Sequence, residues 1–259
     1  MTGTTPLRWR VLRRLIRVVI WRIARRSLRH RVIRLRSGDR LRWLRPETDA
    51  FHSLWTAEIA ALHARGFPAA GVTGGGRLMA ELALVTVAAD TALRKMSITP
   101  ECSREIIADI GWKLYRQMLL LTSLPYRAVT RNPERRLRWT LRTLLVFPFR
   151  PVGAPGYAAE ILHEPGMVRT YFTHCPPQSL ARAISEQDND PDVLAAFRQS
   201  WCLYDWPGAD LIASDGQRGH YRRARTLSHG DPVCDMCWSA RASGVARHSG
   251  DKAAPPPAP

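Results

Sequence analysis

The sequence predicts an α+β fold, in which a helical N-terminal half is followed by a small, mainly antiparallel sheet. Two observations support this prediction. Before Pro148, apolar residues recur at spacings of three and four, which is the period of a helix with one buried face. After Pro148, proline and glycine become frequent, and residues 168–173 are mostly β-branched or aromatic, the composition of a strand.

Two helices are predicted between residues 46 and 95. The first begins at Pro46, because proline is favoured in the first turn of a helix, and it runs to about Arg65. A Gly-Phe-Pro segment then ends it, and the glycine-rich residues 71–76 are predicted to form a flexible loop. The second helix covers residues 77–95, where alanine is frequent.

Two more helices follow before Pro148. Thr99 is suited to cap a helix whose first turn contains Pro100. The apolar residues of that helix form a stripe typical of a buried face, and they are Ile106, Ile107, Ile110, Leu114, Met118 and Leu121. A basic helix is predicted over residues 133–145, with its arginines facing solvent.

The second half is predicted to contain strands and short helices. The strand over residues 168–173 leads into a His-Cys-Pro-Pro segment and then a short helix over residues 178–185. Pro191 is placed to begin another helix. Two strands, residues 220–227 and 233–239, are predicted to pair around an intervening Gly-Asp-Pro turn.

The chain is basic because of one segment. It has 39 Lys and Arg against 22 Asp and Glu, a net charge of +17. Residues 1–46 contain fifteen Arg and a single acid, Asp39, so this Arg-rich leader carries nearly all of the excess. We therefore divide the chain into an amphipathic or accessory leader over residues 1–46, a single α+β domain over residues 47–245 and a disordered Pro/Ala tail over residues 246–259.

The leader is predicted to form two short amphipathic helical pieces that meet near Ile20, because its arginines change face there. It lacks the apolar length of a membrane span or a secretory signal. Three hypotheses remain for it: a helix on an anionic membrane surface, a nucleic-acid arm, or an accessory extension. Specific nucleic-acid binding is not predicted, because no recognition motif accompanies the charge. The protein is expected to be cytoplasmic, with membrane association through the leader as an alternative.

Four of the five cysteines lie within residues 174–237, and three interpretations of them stay open. They could bind zinc or iron through Cys175, Cys202, Cys234 and Cys237, the last two forming a Cys-x-x-Cys pair. One of them could act as a thiolate nucleophile with a nearby base and positive charge. They could also simply pack in a tight, loop-rich sheet.

Four short motifs between residues 175 and 238 together resemble one enzyme family. These motifs are Cys175-Pro176 after a strand, Cys202 followed by Asp205, Arg225-Thr226-Leu227 leading to Gly230, and Cys234-Asp235 leading to Trp238. In this order and spacing the segment resembles the L-2-amino-thiazoline-4-carboxylic acid hydrolase family. Cys237 is an addition to the family pattern.

The resemblance implies a hydrolase that opens a 2-amino-thiazoline ring bearing a carboxylate, acting on a C–N or C–S bond of a small non-peptide heterocycle. The candidate catalytic residues are Cys175, Cys202, Asp205, Cys234, Asp235 and His229. The candidate substrate-binding residues are Arg225, Thr226 and Arg223, with Arg225 preferred as the partner of the substrate carboxylate. No cofactor is required by this interpretation.

A different class of function uses the same residues. In it, the chain is a non-enzymatic sensor that binds a small molecule or a metal, zinc or iron, through Cys175, Cys202, Cys234 and Cys237. A third class places the function in the leader.

Overall fold

The structure is a computed structural model that describes residues 7–68 and 73–241. Its N-terminal part is helical: α1 Leu7–Arg29, β1 Val32–Arg34, β2 Arg40–Arg42, α2 Arg45–Ala64, α3 Gly74–Lys95, α4 Pro100–Val129 and α5 Pro133–Val146. Its C-terminal part mixes strands and helices: β3 Ala158–Glu164, β4 Met167–His174, α6 Pro176–Gln187, α7 Pro191–Gln199, α8 Asp205–Ala213, β5 Tyr221–Arg223 and β6 Cys234–Ser239. The α+β prediction is confirmed.

The leader contains one continuous helix, α1, and not two short pieces. Its inner face packs into the same core as α2, α3 and α4 through Ile20, Ala24 and Leu28, all of which are buried. The sequence predicts a break near Ile20 because the arginines change face there. No break occurs, because two of the arginines before Ile20 lie on the inner face and point to a buried acid. The strands β1 and β2 form a small antiparallel hairpin that the sequence analysis did not predict.

The buried acid is Glu81 of α3, whose side chain has no solvent exposure. Its carboxylate lies 3.0 Å from Nε of Arg13, 3.4 Å from Nη2 of Arg17 and 3.2 Å from Nε2 of His63. Burial raises the pKa of Glu81, but these three neighbours lower it by more, so its pKa lies below the ordinary value. The two arginines of the leader are therefore part of the protein interior.

Helix α3 is buried along most of its length and lies at the centre of the first core. It begins at Gly74, three residues before the predicted start, because the side chain of Thr73 accepts the N–H of Gly76 at 3.0 Å. Gly75 has to be glycine, since a Cβ there would lie 2.3 Å from the carbonyl oxygen of Pro148. Residues 71 and 72 of the predicted loop lie outside the described residues.

The sheet has the strand order β3-β4-β6-β5 and is antiparallel throughout. One face packs on α4, α5 and α8, forming a second core that includes Val168, Tyr221 and Trp238. Two elements here were not predicted, the edge strand β3 and helix α8. In the described part of the chain, no helix is long and apolar enough to cross a membrane.

Strand β5 is shorter than predicted because side chains replace its backbone partners. Oδ1 of Asp235 accepts the N–H groups of Ala224 and Arg225 at 2.9 Å and 2.6 Å. Oδ2 of Asp231 accepts the N–H of Thr226 at 2.7 Å. These bonds turn the chain into a 3₁₀ turn, Leu227–His229, in place of a continued strand.

The basic helix α5 has one arginine that does not face solvent as predicted. Arg136 is buried, and its guanidinium donates to the carbonyl oxygens of Thr130, Ala213 and Ser214 at 2.7–3.0 Å. Arg136 therefore caps the C-terminal end of α8, where a positive charge is favoured. The predicted tail, residues 246–259, lies outside the described residues.

Candidate active site around Asp205

Three cysteines come together where the two cores meet. Cys175 follows β4 at the N-cap of α6, Cys202 lies in a 3₁₀ turn, Trp201–Leu203, between α7 and α8, and Cys234 is the first residue of β6. The three thiols influence one another electrostatically, and Cys175 and Cys202 are also within range of Asp205. All four side chains are partly buried.

Side chains alternate between the two faces of a strand, and this decides which residues of β5 and β6 lie near the three cysteines and Asp205. In β5, Tyr221 and Arg223 are buried and the residue between them is exposed. In β6, Trp238 is buried and pairs with Tyr221. Because Cys234 lies four residues before Trp238, the two share one face of the strand. This inner face carries Arg223 and Cys234 towards Asp205.

Asp205 is the first residue of α8, and two tyrosines hold its carboxylate. The hydroxyl of Tyr115 donates to Oδ1 at 3.5 Å, and that of Tyr221 donates to Oδ2 at 3.3 Å. Burial raises the pKa of Asp205 from 3.8 to about 6, although Arg223 and the two hydroxyls lower it in part. Burial also raises the pKa of both tyrosines well above 10, so they stay protonated and remain donors.

Arg223 supplies the positive charge of the site. Its side chain is 4% exposed, and Nη1 lies 4.0 Å from Oδ2 of Asp205, a distance too long for a hydrogen bond. The guanidinium lies over the ring of Trp206, 4.7 Å from its centroid. Burial lowers the pKa of Arg223, but its acidic neighbours, Tyr221 first, raise it by more, so the guanidinium stays charged.

Two of the thiols are held in the neutral form. Burial raises the pKa of Cys202 to about 11, and Arg223 and Ser228 lower it only in part. Burial and the neighbouring Cys234 raise the pKa of Cys175 well above 9, more than the backbone N–H of Gln178 lowers it. Sγ of Cys202 lies 3.2 Å from Oγ of Ser228. Neutral thiols are weak nucleophiles, so neither sulfur is prepared for attack.

Cys234 has a different environment. Its sulfur accepts the backbone N–H of Leu227 at 3.3 Å and lies 3.4 Å from Oγ1 of Thr226. The carbonyl of Leu227 is in turn held by Arg182 at 2.7 Å and Gln178 at 3.4 Å, both on α6. The position of this sulfur is therefore fixed by a turn that α6 holds in place.

A buried phenol near Asp205 has an unsatisfied hydroxyl. Tyr157 is 2% exposed, and among the described residues its hydroxyl has no hydrogen-bond partner. Burial raises its pKa well above 10, and Cys175, Tyr115 and Asp205 contribute to the shift. Buried polar groups are nearly always paired. This unpaired hydroxyl, which lies within electrostatic range of Asp205, therefore indicates a position where a ligand or a water can accept a hydrogen bond.

Other predicted site residues lie elsewhere. Asp235 binds the backbone at the end of β5, and its Oδ2 pairs with Nε of Arg225 at 3.2 Å. The side chain of Arg225 is 52% exposed. His229 is exposed in the 3₁₀ turn, whereas its neighbour Ser228 is buried against Cys202. Thr226 belongs to the site through its contact with Cys234.

Cys237 is separated from the other three cysteines of the metal hypothesis. An odd spacing from Cys234 puts it on the opposite face of β6, and it pairs with Arg169 and Arg222 along the sheet. Within residues 7–68 and 73–241, no group of three or more His, Cys, Asp or Glu side chains is arranged to hold a metal ion. The Cys-x-x-Cys pair therefore does not direct two thiolates at one ion.

The tyrosines of the site are not among the residues predicted from the sequence. Tyr221 could have been found, because it lies two residues before Arg223 and strand alternation puts both on one face. Tyr115 and Tyr157 carry no such signal, since they lie on elements far away along the chain. Comparison with protein-family models, with curated proteins and with solved structures finds no match to this chain. The resemblance to the hydrolase family therefore stays a prediction.

Proposed function

We propose that this protein is a hydrolase that opens a small heterocycle bearing a carboxylate, of the 2-amino-thiazoline-4-carboxylate type, with Asp205 as the general base. The observation that carries the proposal is the environment of this carboxylate: a pKa of about 6, two tyrosine donors and a buried arginine beside it. A base of this pKa is mostly ionised at neutral pH and still accepts a proton from water effectively.

Asp205 is assigned the proton transfers of the ring opening. It removes a proton from water as the water oxygen bonds to the ring carbon between nitrogen and sulfur; the electron pair of the C=N bond passes to the ring nitrogen, and the protonated Asp205 gives its proton to that nitrogen. The C–S bond then breaks with its electron pair on sulfur as the hydroxyl oxygen forms the carbonyl, and the hydroxyl proton passes through Asp205 to that sulfur. The products are a thiol and a urea, and no electron is exchanged with another reactant. One carboxyl thus serves as base and then as acid.

Arg223 is assigned to the substrate carboxylate. Arg225, which the sequence analysis preferred, is half exposed and already paired with Asp235. Arg223 is buried beside the thiols and does not form a hydrogen bond to Asp205 at 4.0 Å. A charged arginine in a buried position binds a carboxylate strongly, because water competes little there.

The thiols have secondary roles in this proposal. Cys175 and Cys202 are neutral and lie within electrostatic range of Asp205. Cys234 is the alternative nucleophile, because its sulfur accepts an N–H donor. A covalent route through Cys234 is expected to leave a mass adduct on the protein during turnover, which the water route does not form.

The proposal is tested by incubating the full chain with 2-amino-thiazoline-4-carboxylate and measuring turnover as the release of thiol. The metal content is measured on the same sample. Arg223→Gln is expected to raise KM about tenfold to a hundredfold. Arg225→Gln is the matched control and is expected to leave KM nearly unchanged. No turnover by the wild-type chain, or equal effects of the two substitutions, would refute the proposal.

A non-catalytic sensor is the second candidate, and two observations favour it. The pKa values of Cys175 and Cys202 are raised, so both thiols suit binding better than attack. The free hydroxyl of Tyr157 can satisfy a bound ligand. Calorimetric binding of the same heterocycle without thiol release would support the sensor over the hydrolase. Stoichiometric zinc or iron in the purified protein would support the metal form of the sensor.

A further inference from the structure

The outward side of α1 has two unlike halves. Six large apolar side chains in its first half are between 38% and 68% exposed, and they are Leu7, Val11, Leu12, Leu15, Val18 and Val19. Leu7, Val11, Leu15 and Val18 follow one another at spacings of four, four and three, so they form a stripe on one side of the helix. We call these six residues and the exposed arginines that accompany them the outer face of α1.

The arginines of the outer face are Arg10, Arg14, Arg22, Arg26 and Arg29, all exposed. The whole helix contains nine arginines and no acid. Arg13 and Arg17 point inwards and share the single negative charge of Glu81. Among the described residues, none of the five exposed arginines forms an ion pair, so this face presents an uncompensated positive charge.

The outer face is presented by a firmly held helix. Ile20, Ala24 and Leu28 are at most 6% exposed on the opposite side. Nζ of Lys113 on α4 lies 2.8 Å from Oγ of Ser27, and the buried ion pairs of Glu81 fix the N-terminal half. The exposed stripe is therefore not the result of a helix lying loosely on the surface.

The chemistry of the outer face selects one occupant among three. A second copy of this chain would bring nine more arginines against the first set, which is repulsive. A nucleic acid would bind the arginines but would give the exposed aliphatic stripe nothing apolar to contact. An anionic bilayer satisfies both halves, because lipid phosphates attract arginine and the acyl region takes up apolar side chains.

The geometry points to the outer face of α1 as a docking site for an anionic phospholipid bilayer. The helix lies in the plane of the surface, with its apolar first half at the boundary of the acyl chains and its arginine-rich second half on the phosphates. This inference does not depend on the proposed hydrolase activity. It describes peripheral attachment, and no described helix is suited to cross the bilayer.

The experiment is co-sedimentation of the full chain with vesicles of phosphatidylcholine containing about one third phosphatidylglycerol. Binding is expected to these vesicles and not to pure phosphatidylcholine. Arg22→Gln with Arg26→Gln is expected to weaken partitioning about thirtyfold. Leu15→Gln with Val18→Gln is expected to weaken it about tenfold or more.

Matched controls keep the result specific. Arg131→Gln with Arg135→Gln removes two exposed arginines elsewhere, and Val152→Gln with Leu162→Gln removes two apolar side chains of similar exposure near the sheet. Both are expected to bind as the wild type does. Circular dichroism of every variant identifies any that fail to fold.

Three results would overturn the inference. The first is equal binding to charged and uncharged vesicles. The second is an equal loss of binding in the control variants. The third is an absence of binding to the charged vesicles. In that case, a dimer that the Leu15→Gln and Val18→Gln changes disrupt would identify a second copy as the occupant, and binding to duplex DNA would identify a nucleic acid.

Discussion

The guanidinium of Arg223 and the carboxylate of Asp205 lie 4.0 Å apart on β5 and α8, close enough to interact but without a hydrogen bond. This spacing distinguishes them from Arg225 and Asp235, whose side chains meet at 3.2 Å at the exposed end of β5. In the buried pair, desolvation outweighs the attraction, so the pKa of Asp205 rises to about 6. Asp205 therefore keeps a basic carboxylate, and Arg223 stays charged beside it.

The pH dependence of turnover follows from Asp205. The base is active when ionised, so kcat/KM is expected to fall as the pH drops below about 6. Tyr221→Phe removes a hydroxyl that lowers this pKa, and the acid limb of the profile is expected to move to higher pH. An acid limb near the ordinary carboxylate pKa of about 4 would contradict the assignment.

The contribution of Asp205 to stability is expected to depend on pH in the opposite sense to its contribution to turnover. The folded protein binds a proton at Asp205 more tightly than the unfolded chain, because the folded pKa of about 6 exceeds 3.8. The free energy of unfolding therefore falls as pH rises between these values, by about 3 kcal/mol from this group.

Asp205→Asn tests this linkage through urea unfolding at several pH values. The variant is expected to match the wild type near pH 3.8, where Asp205 is protonated, and to exceed its stability by up to about 3 kcal/mol above pH 6. Asp188→Asn changes a surface carboxylate paired with Arg65 and serves as the control. A stability of the Asp205→Asn variant that declines relative to the wild type as pH rises would contradict the raised pKa.

Asp235 is expected to matter for stability and not for turnover. Its carboxylate accepts the N–H groups of Ala224 and Arg225. Asp235→Ala leaves these donors without their partner and is expected to lower the free energy of unfolding by about 2 kcal/mol. The kcat of the folded fraction is expected to stay within a few-fold of the wild type. A loss of kcat as large as that of Asp205→Asn would contradict this and show that Asp235 is a catalytic residue.

The neutral thiols are expected to resist alkylation. With a pKa of about 11, about one Cys202 in ten thousand is a thiolate at neutral pH. Iodoacetamide followed by peptide mass mapping is expected to leave Cys202 and Cys175 unmodified in the folded protein and to label both after unfolding. Rapid labelling of either thiol in the folded protein would show that it is poised as a nucleophile.

Most helices could be predicted because residues at their own starts favour a helix, as Thr99 and Pro100 do. Helix α8 could not be predicted in this way. It begins Asp-Trp-Pro-Gly, a segment typical of a turn. Gly208 is accommodated there because the helix packs so closely on α4 that a Cβ would lie 2.9 Å from Leu119. Only tertiary packing makes this segment helical.

Part of the candidate site could be predicted from the sequence, and the rest depends on tertiary structure. Asp205 and the cysteines Cys175, Cys202 and Cys234 stand out in sequence, and the structure brings them together. The choice of Arg223 over Arg225 depends on where β5 ends, which is decided by a side chain ten residues away from Arg225. Tyr115, which holds Asp205, and the unpaired Tyr157 reach the site only through the packing of the two cores.

The initial rate of thiol release from 2-amino-thiazoline-4-carboxylate, measured at near-neutral pH for the wild type, Asp205→Asn and Asp188→Asn, tests the central claim most directly. The assignment of Asp205 as general base predicts turnover by the wild type and the Asp188→Asn control, and a loss of about a hundredfold to ten-thousandfold in Asp205→Asn. An Asp205→Asn variant that folds and releases thiol at the wild-type rate would contradict it.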